Sequence, residues 1–167
     1  MKATFDEIIQ TVLQHEGGYS NDKDDPGNWT GGKVEKGILK GTKFGIAANS
    51  YPELDIKNLT VDQAKAVYYS DYWKRGHCDK IPEEIRQIYF DSCINHGRGG
   101  AAKLLQRTIG AAPDGAIGPV TLSKVGKATL KGFAVQRLMY YSRIVANNSK
   151  MEKYLKGWFN RVYDLIK

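Results

Sequence analysis

In the stretch LQHEGGYSNDKDDPGNW, residues 13–29, a glutamate closes an apolar helical stripe and is followed within nine residues by Asp22, Asp24 and Asp25. Phe5, Ile8, Ile9, Val12 and Leu13 recur at the spacing of one helix face, and Glu16 prolongs that face instead of turning to the solvated side. Partial burial and the negative end of the helix dipole both press a carboxyl at that point toward its neutral form. A neutral carboxyl can hand a proton to a leaving oxygen; glycosidic cleavage also needs a second polar group to hold water or to face an oxocarbenium-like transition state. The three aspartates, with Thr30 and Thr42 beyond them, are candidates for that second group if the loop doubles back over the helix end. Tyr19 and Trp29 flank the cluster with flat faces of the kind that stack on sugar rings. Spacing alone has a plainer explanation, a helix-end glutamate followed by turn-forming aspartates, and core packing is the commoner fate of a tryptophan. The aromatic flanks and the glycine-rich segment that follows are what favour a site.

The elements that must position these residues are mostly helices. Thr4 and Glu7 form a capping-box pair ahead of the first stripe, which predicts a helix over about 4–16 ended by Gly17 and Gly18. Residues 20–46 are rich in glycine and poor in periodicity, the pattern of a long functional loop or small hairpin region. Thr60 and Gln63 repeat the capping box before VDQAKAVYYSDYWKRG, with Gly76 as its stop. Pro82 opens a third helix with Ile85, Ile88, Tyr89, Ser92, Cys93 and His96 on one face, and HGRGG at 96–100 closes it. AAKLLQRTIG reads as a further helix, APDGAIGP as a turn, and residues 119–166 as three or four helices.

A chain of 167 residues with 41% hydrophobic content can bury a core of its own. Its net charge of +7 is uneven. Residues 1–95 hold 12 Lys and Arg against 15 Asp and Glu, whereas residues 96–167 hold 13 against 3. The shift near the glycines at 97–100 marks the expected boundary between two lobes, 1–95 and 96–167, packed as one compact unit. A basic half suits nucleic acid, an anionic membrane face or an acidic polymer such as the bacterial wall. The two cysteines, Cys78 and Cys93, are expected to be reduced, buried thiols. No run approaches the roughly 20 apolar residues that span a bilayer, and MKATFDEIIQ lacks the pattern of a signal peptide. The expectation is a chain made in the cytoplasm.

HEGGYSNDKDDPGNW and GTKFGIAANSYP resemble the N-terminal motif of glycoside hydrolase family 108, the N-acetylmuramidases of phage endolysins and bacteria. VYYSDYWKRGHCDKIP is similar to that family's aromatic helix. YFDSCINHGRGGAAKLLQRTIGAAPDGAIGPVTL resembles the start of its companion peptidoglycan-binding module, and KGWFNRV resembles that module's end. The resemblance implies a mainly α, lysozyme-like fold and hydrolysis of the β-1,4 bond between N-acetylmuramic acid and N-acetylglucosamine. On it, Glu16 falls on the proton donor and Asp25 on the acid that follows in related phage lysozymes, where a threonine shares the site. Family members run from the acidic cluster almost directly into a threonine and YGI, whereas here WTGGKVEKGILKG intervenes before TKFGI. Thr42 matches by its following residues and Thr30 by its distance from Glu16; local context favours Thr42. The resemblance also implies peptidoglycan glycan strands and stem peptides as partners, and action at the cell wall after release through a holin or another export route.

Asn95, at the end of the first lobe, could offer its amide to a sugar acetamido group or cap its helix, and in the second lobe Gln106 and Arg107 could face peptide stems or simply lie on a solvated helix face. No metal or cofactor is expected: His77 and Cys78 are adjacent and point apart, so with Cys93 and His96 they make a poor ligand set. Position 19 is tyrosine, which excludes a zinc-protease motif at His15 and Glu16. Nucleic-acid binding is disfavoured, because no recognisable module is present and Tyr140, Tyr141 and Trp158 fall at core-like helical spacings. A non-catalytic peptidoglycan-binding module is the competing expectation; against it, an acid on an apolar stripe serves no purpose in mere binding. A monomer is assumed.

Overall fold

The computed structural model describes residues 4–167. The fold is mainly helical, with one small antiparallel sheet among the described residues, as expected of a lysozyme-like chain. No helix is long and apolar enough to cross a membrane among those residues. The chain forms two compact units, Thr4–Tyr69 and residues 70–167, described separately below.

The first unit opens with α1, Phe5–His15. Its capping box is complete: Glu7 N–H donates to Thr4 Oγ1, and Thr4 N–H to Glu7 Oε2 at 2.8 Å. The apolar stripe does its predicted work, burying Ile8, Ile9 and Val12. The helix ends because Glu16 leaves helical geometry for extended backbone, φ −80° and ψ 130°. After a 3₁₀ turn at Pro26–Asn28 come β1, Thr42–Lys43, and β2, Ile46–Ala47, then α2, Val61–Tyr68. The second capping box also forms, between Thr60 and Gln63. Ile46, Ala48, Ile56, Leu59, Ala64 and Tyr68 complete this unit's buried set.

The second unit is built on α3, Glu83–Thr108, α4, Pro119–Lys124, α5, Leu130–Asn147, and α6, Leu155–Ile166. The glycines at 97–100 do not end α3 as expected. Gly97 alone departs from helical geometry, at φ 70° and ψ 160°, a conformation essentially reserved for glycine, and the helix resumes at once. Likewise, the aromatic helix predicted to run to Gly76 is α2 followed by a π-helical turn over Tyr69–Lys74. Cys78 and Cys93 are free and buried, and hydrogen bonding to Cys93, followed by burial, pushes the Cys78 thiol far up.

The interior of this unit carries charge. Asp91 on α3 is buried, with Arg137 Nη2 of α5 2.6 Å from one oxygen and Arg161 Nη2 of α6 2.7 Å from the other. Three helices therefore meet on one carboxylate. Arg137 is wholly buried, donates through Nε to Tyr141 Oη at 3.1 Å, and stacks loosely over that ring. His96 completes the cluster, 3.2 Å from Tyr141 Oη through Nε2 and edge-on to Tyr140 and Tyr141. Burial, and then the charge of Arg137, push His96 down to about 4, with Arg161 adding to the effect and Asp91 opposing it.

The unfolded chain would protonate this histidine near its ordinary 6.5, so the unfolded state holds more protons between that pH and about 4. Stability from keeping His96 neutral is complete above pH 6.5 and drains away as pH falls, by at most about 1.4 kcal/mol per pH unit. Urea unfolding at a series of pH values is expected to show this slope in the wild type and a shallower one in His96→Gln.

Candidate active site

Glu16, Asp25 and Thr42 all lie in the first unit, and hydrogen bonds along the backbone tie their segments together. Chain 16–20 runs beside chain 42–45: Ser20 and Thr42 exchange two backbone hydrogen bonds of 2.8 Å, and Phe44 N–H donates to Gly17 C=O at 3.3 Å. The loop thus doubles back over the helix end.

The strands β1 and β2 pair Lys43 with Ile46, leaving Phe44 and Gly45 as a two-residue turn. Their φ values, 52° and 74°, are both positive, the signature of the I′ turn that suits hairpin twist. For glycine this is free, but a phenylalanine in the left-handed region costs on the order of 1–2 kcal/mol. Tyr68, buried on α2, holds the turn in place by donating its hydroxyl to the Phe44 carbonyl at 2.8 Å.

This turn is where Glu16 sits. A Cβ at position 45 would lie 2.6 Å from Glu16 Oε2 and 2.7 Å from Tyr68 Oη. The carboxyl and the phenol therefore converge on a point that only glycine leaves open. Glu16 itself is half-buried.

Asp25 caps the 3₁₀ turn at Pro26–Asn28, accepting from Gly27 N–H through Oδ1 at 2.8 Å. The residue is exposed. Asn28, three residues on, is 1% exposed and connects the acid's turn to the hairpin. Its Nδ2 donates to the Asp22 carbonyl at 3.0 Å, its Oδ1 accepts from Thr42 Oγ1 at 2.7 Å, and its own carbonyl accepts from Lys40 and Gly41 N–H. Asp22 serves the same loop, taking Asp24 N–H on its side chain at 3.0 Å.

The intervening WTGGKVEKGILKG folds as a self-contained excursion. Trp29 and Leu39 bridge at its neck, and Thr30 N–H donates to Ile38 C=O. Thr30 Oγ1 accepts from Ile38 N–H at 2.9 Å, so its hydroxyl closes the excursion and takes no part in the Asn28–Thr42 contact. Trp29 is half-buried, its indole N–H donating to the Lys23 carbonyl at 2.9 Å. The Tyr19 ring lies on Gly41, where a Cβ would approach Cε2 to 2.7 Å, and remains 37% exposed.

The other expected contacts belong to the second unit. Asn95 turns its amide back onto its own helix, donating to the Asp91 carbonyl at 2.7 Å. Gln106 is not on a solvated face: it is 1% exposed, its Nε2 donates to Asp114 Oδ1 at 2.6 Å and Ala116 C=O at 2.9 Å, and its Oε1 accepts from Gly115 N–H at 2.9 Å. It clasps the APDGAIGP turn. The Ala116 N–H bond, and then the Gln106 amide, hold the exposed Asp114 carboxyl below its ordinary range. Arg107 is exposed.

Sequence reasoning missed Asn28, Gly45 and Tyr68. The first two stand inside the motifs DDPGNW and TKFGI, where only the fold reveals that one amide bridges both. Tyr68 was hidden in an aromatic run whose members look alike.

Comparison with known proteins agrees with the resemblance. The sequence model of the Glycosyl hydrolase 108 family matches residues 9–97, and that of the Predicted Peptidoglycan domain matches residues 100–163. The solved structure of SagA from Brucella abortus is similar over 99% of this chain and 93% of its own, at 26% identity and a TM-score of 0.76. No curated protein matches the chain.

Two substitutions test the architecture. Asn28→Ala strands the Thr42 hydroxyl and two loop segments, and is expected to destabilise by about 1–3 kcal/mol in urea unfolding. Gly45→Ala combines strain at positive φ with a clash on the Glu16 carboxylate, and is expected to cost at least about 1 kcal/mol. A neutral result for either would show that the turn and the amide bridge do not hold the site together.

Proposed function

The chain belongs to the glycosyl hydrolase 108 family and is a peptidoglycan hydrolase, and from that premise we propose that it is an N-acetylmuramidase, cutting the β-1,4 bond between N-acetylmuramic acid and N-acetylglucosamine. The observation that carries the reading is the convergence of the Glu16 carboxyl with the Tyr68 hydroxyl on Gly45, at the end of an otherwise apolar helix face.

In this reading Glu16 donates its proton to the glycosidic oxygen as the bond to the anomeric carbon breaks. Asp25 faces the positive charge that develops there or draws a proton from the attacking water. Its Oδ1 is fixed by Gly27 N–H, which leaves Oδ2 for that work. Thr42 gives its own proton to Asn28 and so presents lone pairs to a water's hydrogen. The folding of residues 29–39 as a closed excursion supports Thr42 over Thr30, because the site threonine then follows the excursion instead of lying within it.

Trp29 and Tyr19 would border the sugar. Gln106 would act through the turn it clasps, Asn95 through α3, and Arg107 by direct contact. The functional division we propose is a catalytic lobe, 1–95, and a wall-binding lobe, 96–167, supported by the family matches on either side of residues 98 and 99. Such a chain would act on the wall as a monomer, in phage lysis or in the passage of a secreted protein.

Purified sacculi supply the test. Wild-type protein is expected to release muropeptides with new muramic-acid reducing ends, and Glu16→Gln to lose at least about a thousandfold in rate, while Asp25→Asn retains more. Binding by both proteins with no new reducing ends would make the chain a wall-binding module and end the muramidase reading. Reducing ends on N-acetylglucosamine would move the cut to the other bond.

A further inference from the structure

On the second unit, α3 and α5 border a groove of about 360 Å³. One wall is Gly100, Lys103 and Arg107, and the other is Tyr140, Arg143, Ile144 and Asn147. Each set follows helical spacing, so the two walls run along their helices for about 10 Å.

The charge of this groove is one-sided. Lys103, Arg107 and Arg143 are exposed, and none of the ion pairs among the described residues includes them. Residues 96–167 contain only Asp114, Glu152 and Asp164 as acids, and none of the three lines the groove. Asp114, the acid nearest to Lys103 in effect, already accepts from Gln106 and Ala116 N–H. His96, against the Tyr140 ring, is neutral at ordinary pH and adds no charge.

The groove is also held in shape. Gln106 fastens the turn at Gly115, where a Cβ would come within 3.2 Å of Lys103 Cε. Three like charges held together raise each other's energy, and an anion with more than one negative group relieves that repulsion. Guanidinium groups favour carboxylates because the fork matches two oxygens. Ile144 and the Tyr140 ring supply apolar surface for a backbone or aliphatic segment between the charges.

We propose that this groove binds the carboxylates of peptidoglycan stem peptides, with Arg107 and Arg143 as the paired anion receptors and Lys103 as the third cation. This rests on the reading of the chain as a peptidoglycan hydrolase. An extended peptide places alternate residues roughly 7 Å apart, close to the roughly 6 Å rise from Lys103 to Arg107. Two carboxylates of one stem can thus engage the groove together, while the glycan carries no free anion of its own between stems.

The test uses the full chain with two substrates: intact sacculi and sacculi whose carboxyls are amidated. Wild-type binding to intact sacculi is expected to weaken about tenfold or more on amidation, and Arg107→Gln/Arg143→Gln to lose as much on intact sacculi without further loss on amidated ones. The double variant should unfold in urea within about 0.5 kcal/mol of wild type, so that lost binding is not lost folding. Equal wild-type affinity for intact and amidated sacculi overturns the proposal, as does a double variant that binds intact sacculi normally. Walls that retain a phosphate-bearing polymer form a separate arm; affinity that follows the phosphate and ignores amidation would assign the groove to that polymer and refute the stem-peptide reading. Carboxylate-dependent binding without cleavage of any strand would leave the groove assigned and the muramidase reading refuted, so the two can fail separately.

Discussion

The site depends on backbone running where a side chain cannot. Gly45 brings the hairpin turn against the Glu16 carboxyl at a distance that would place a Cβ inside van der Waals contact. That approach is held from two sides. Tyr68 takes the Phe44 carbonyl, and the bridge between Ser20 and Thr42 takes the strand. A helix-end glutamate is ordinarily a mobile, hydrated group; here the chain folds back over it. The strain of a phenylalanine at positive φ is tolerated because hydrogen bonds from α2 and from chain 17–20 fix the turn, the circumstance under which folds keep costly backbone.

The second unit uses a different device. Asp91 is one carboxylate shared by two guanidinium groups, and Arg137 lies wholly out of solvent with its Nη1 lacking a hydrogen-bond acceptor among the described residues. Such a cluster adds little net stability over well-packed apolar residues, but breaking it costs about 3–5 kcal/mol because a buried charge is left uncompensated. Its effect is on geometry: α3, α5 and α6 can meet only in the arrangement that brings their charges to one point. Burial depresses His96 first, and the cluster adds to it, since a third cation beside Arg137 and Arg161 would have only Asp91 to answer it.

The parts legible in the sequence were those set by local chemistry. Both capping boxes, the stripe of Ile8, Ile9 and Val12, and the existence of a small hairpin region before α2 follow from residue types a few positions apart. Gly97 was visible as a break but not as a kink, because whether a helix resumes beyond a glycine depends on what the next turn packs against. The I′ turn escaped notice for a related reason: its usual marker is Asn-Gly, and Phe-Gly occupies it only because α2 supplies Tyr68. Asn28 shows the general difficulty. Beside aspartates, proline and glycine it reads as one more turn former, and only the approach of Thr42 makes it a buried bridge.

Gln106 and Arg107 show why adjacent polar residues in a helix cannot be assigned together. Successive residues project about 100° apart, so of two neighbours one can enter the core while the other faces water. An amide can be buried if its donors and acceptor are all met, and the turn at Asp114–Ala116 meets them for Gln106. A guanidinium in the same place has donors only, and would leave the Gly115 N–H without the acceptor that Gln106 Oε1 gives it. Arg107 therefore stays at the surface, where it faces a groove that already carries Lys103 and Arg143. The amide shapes the turn and the arginine supplies the charge, and neither could exchange places with the other without losing its partner.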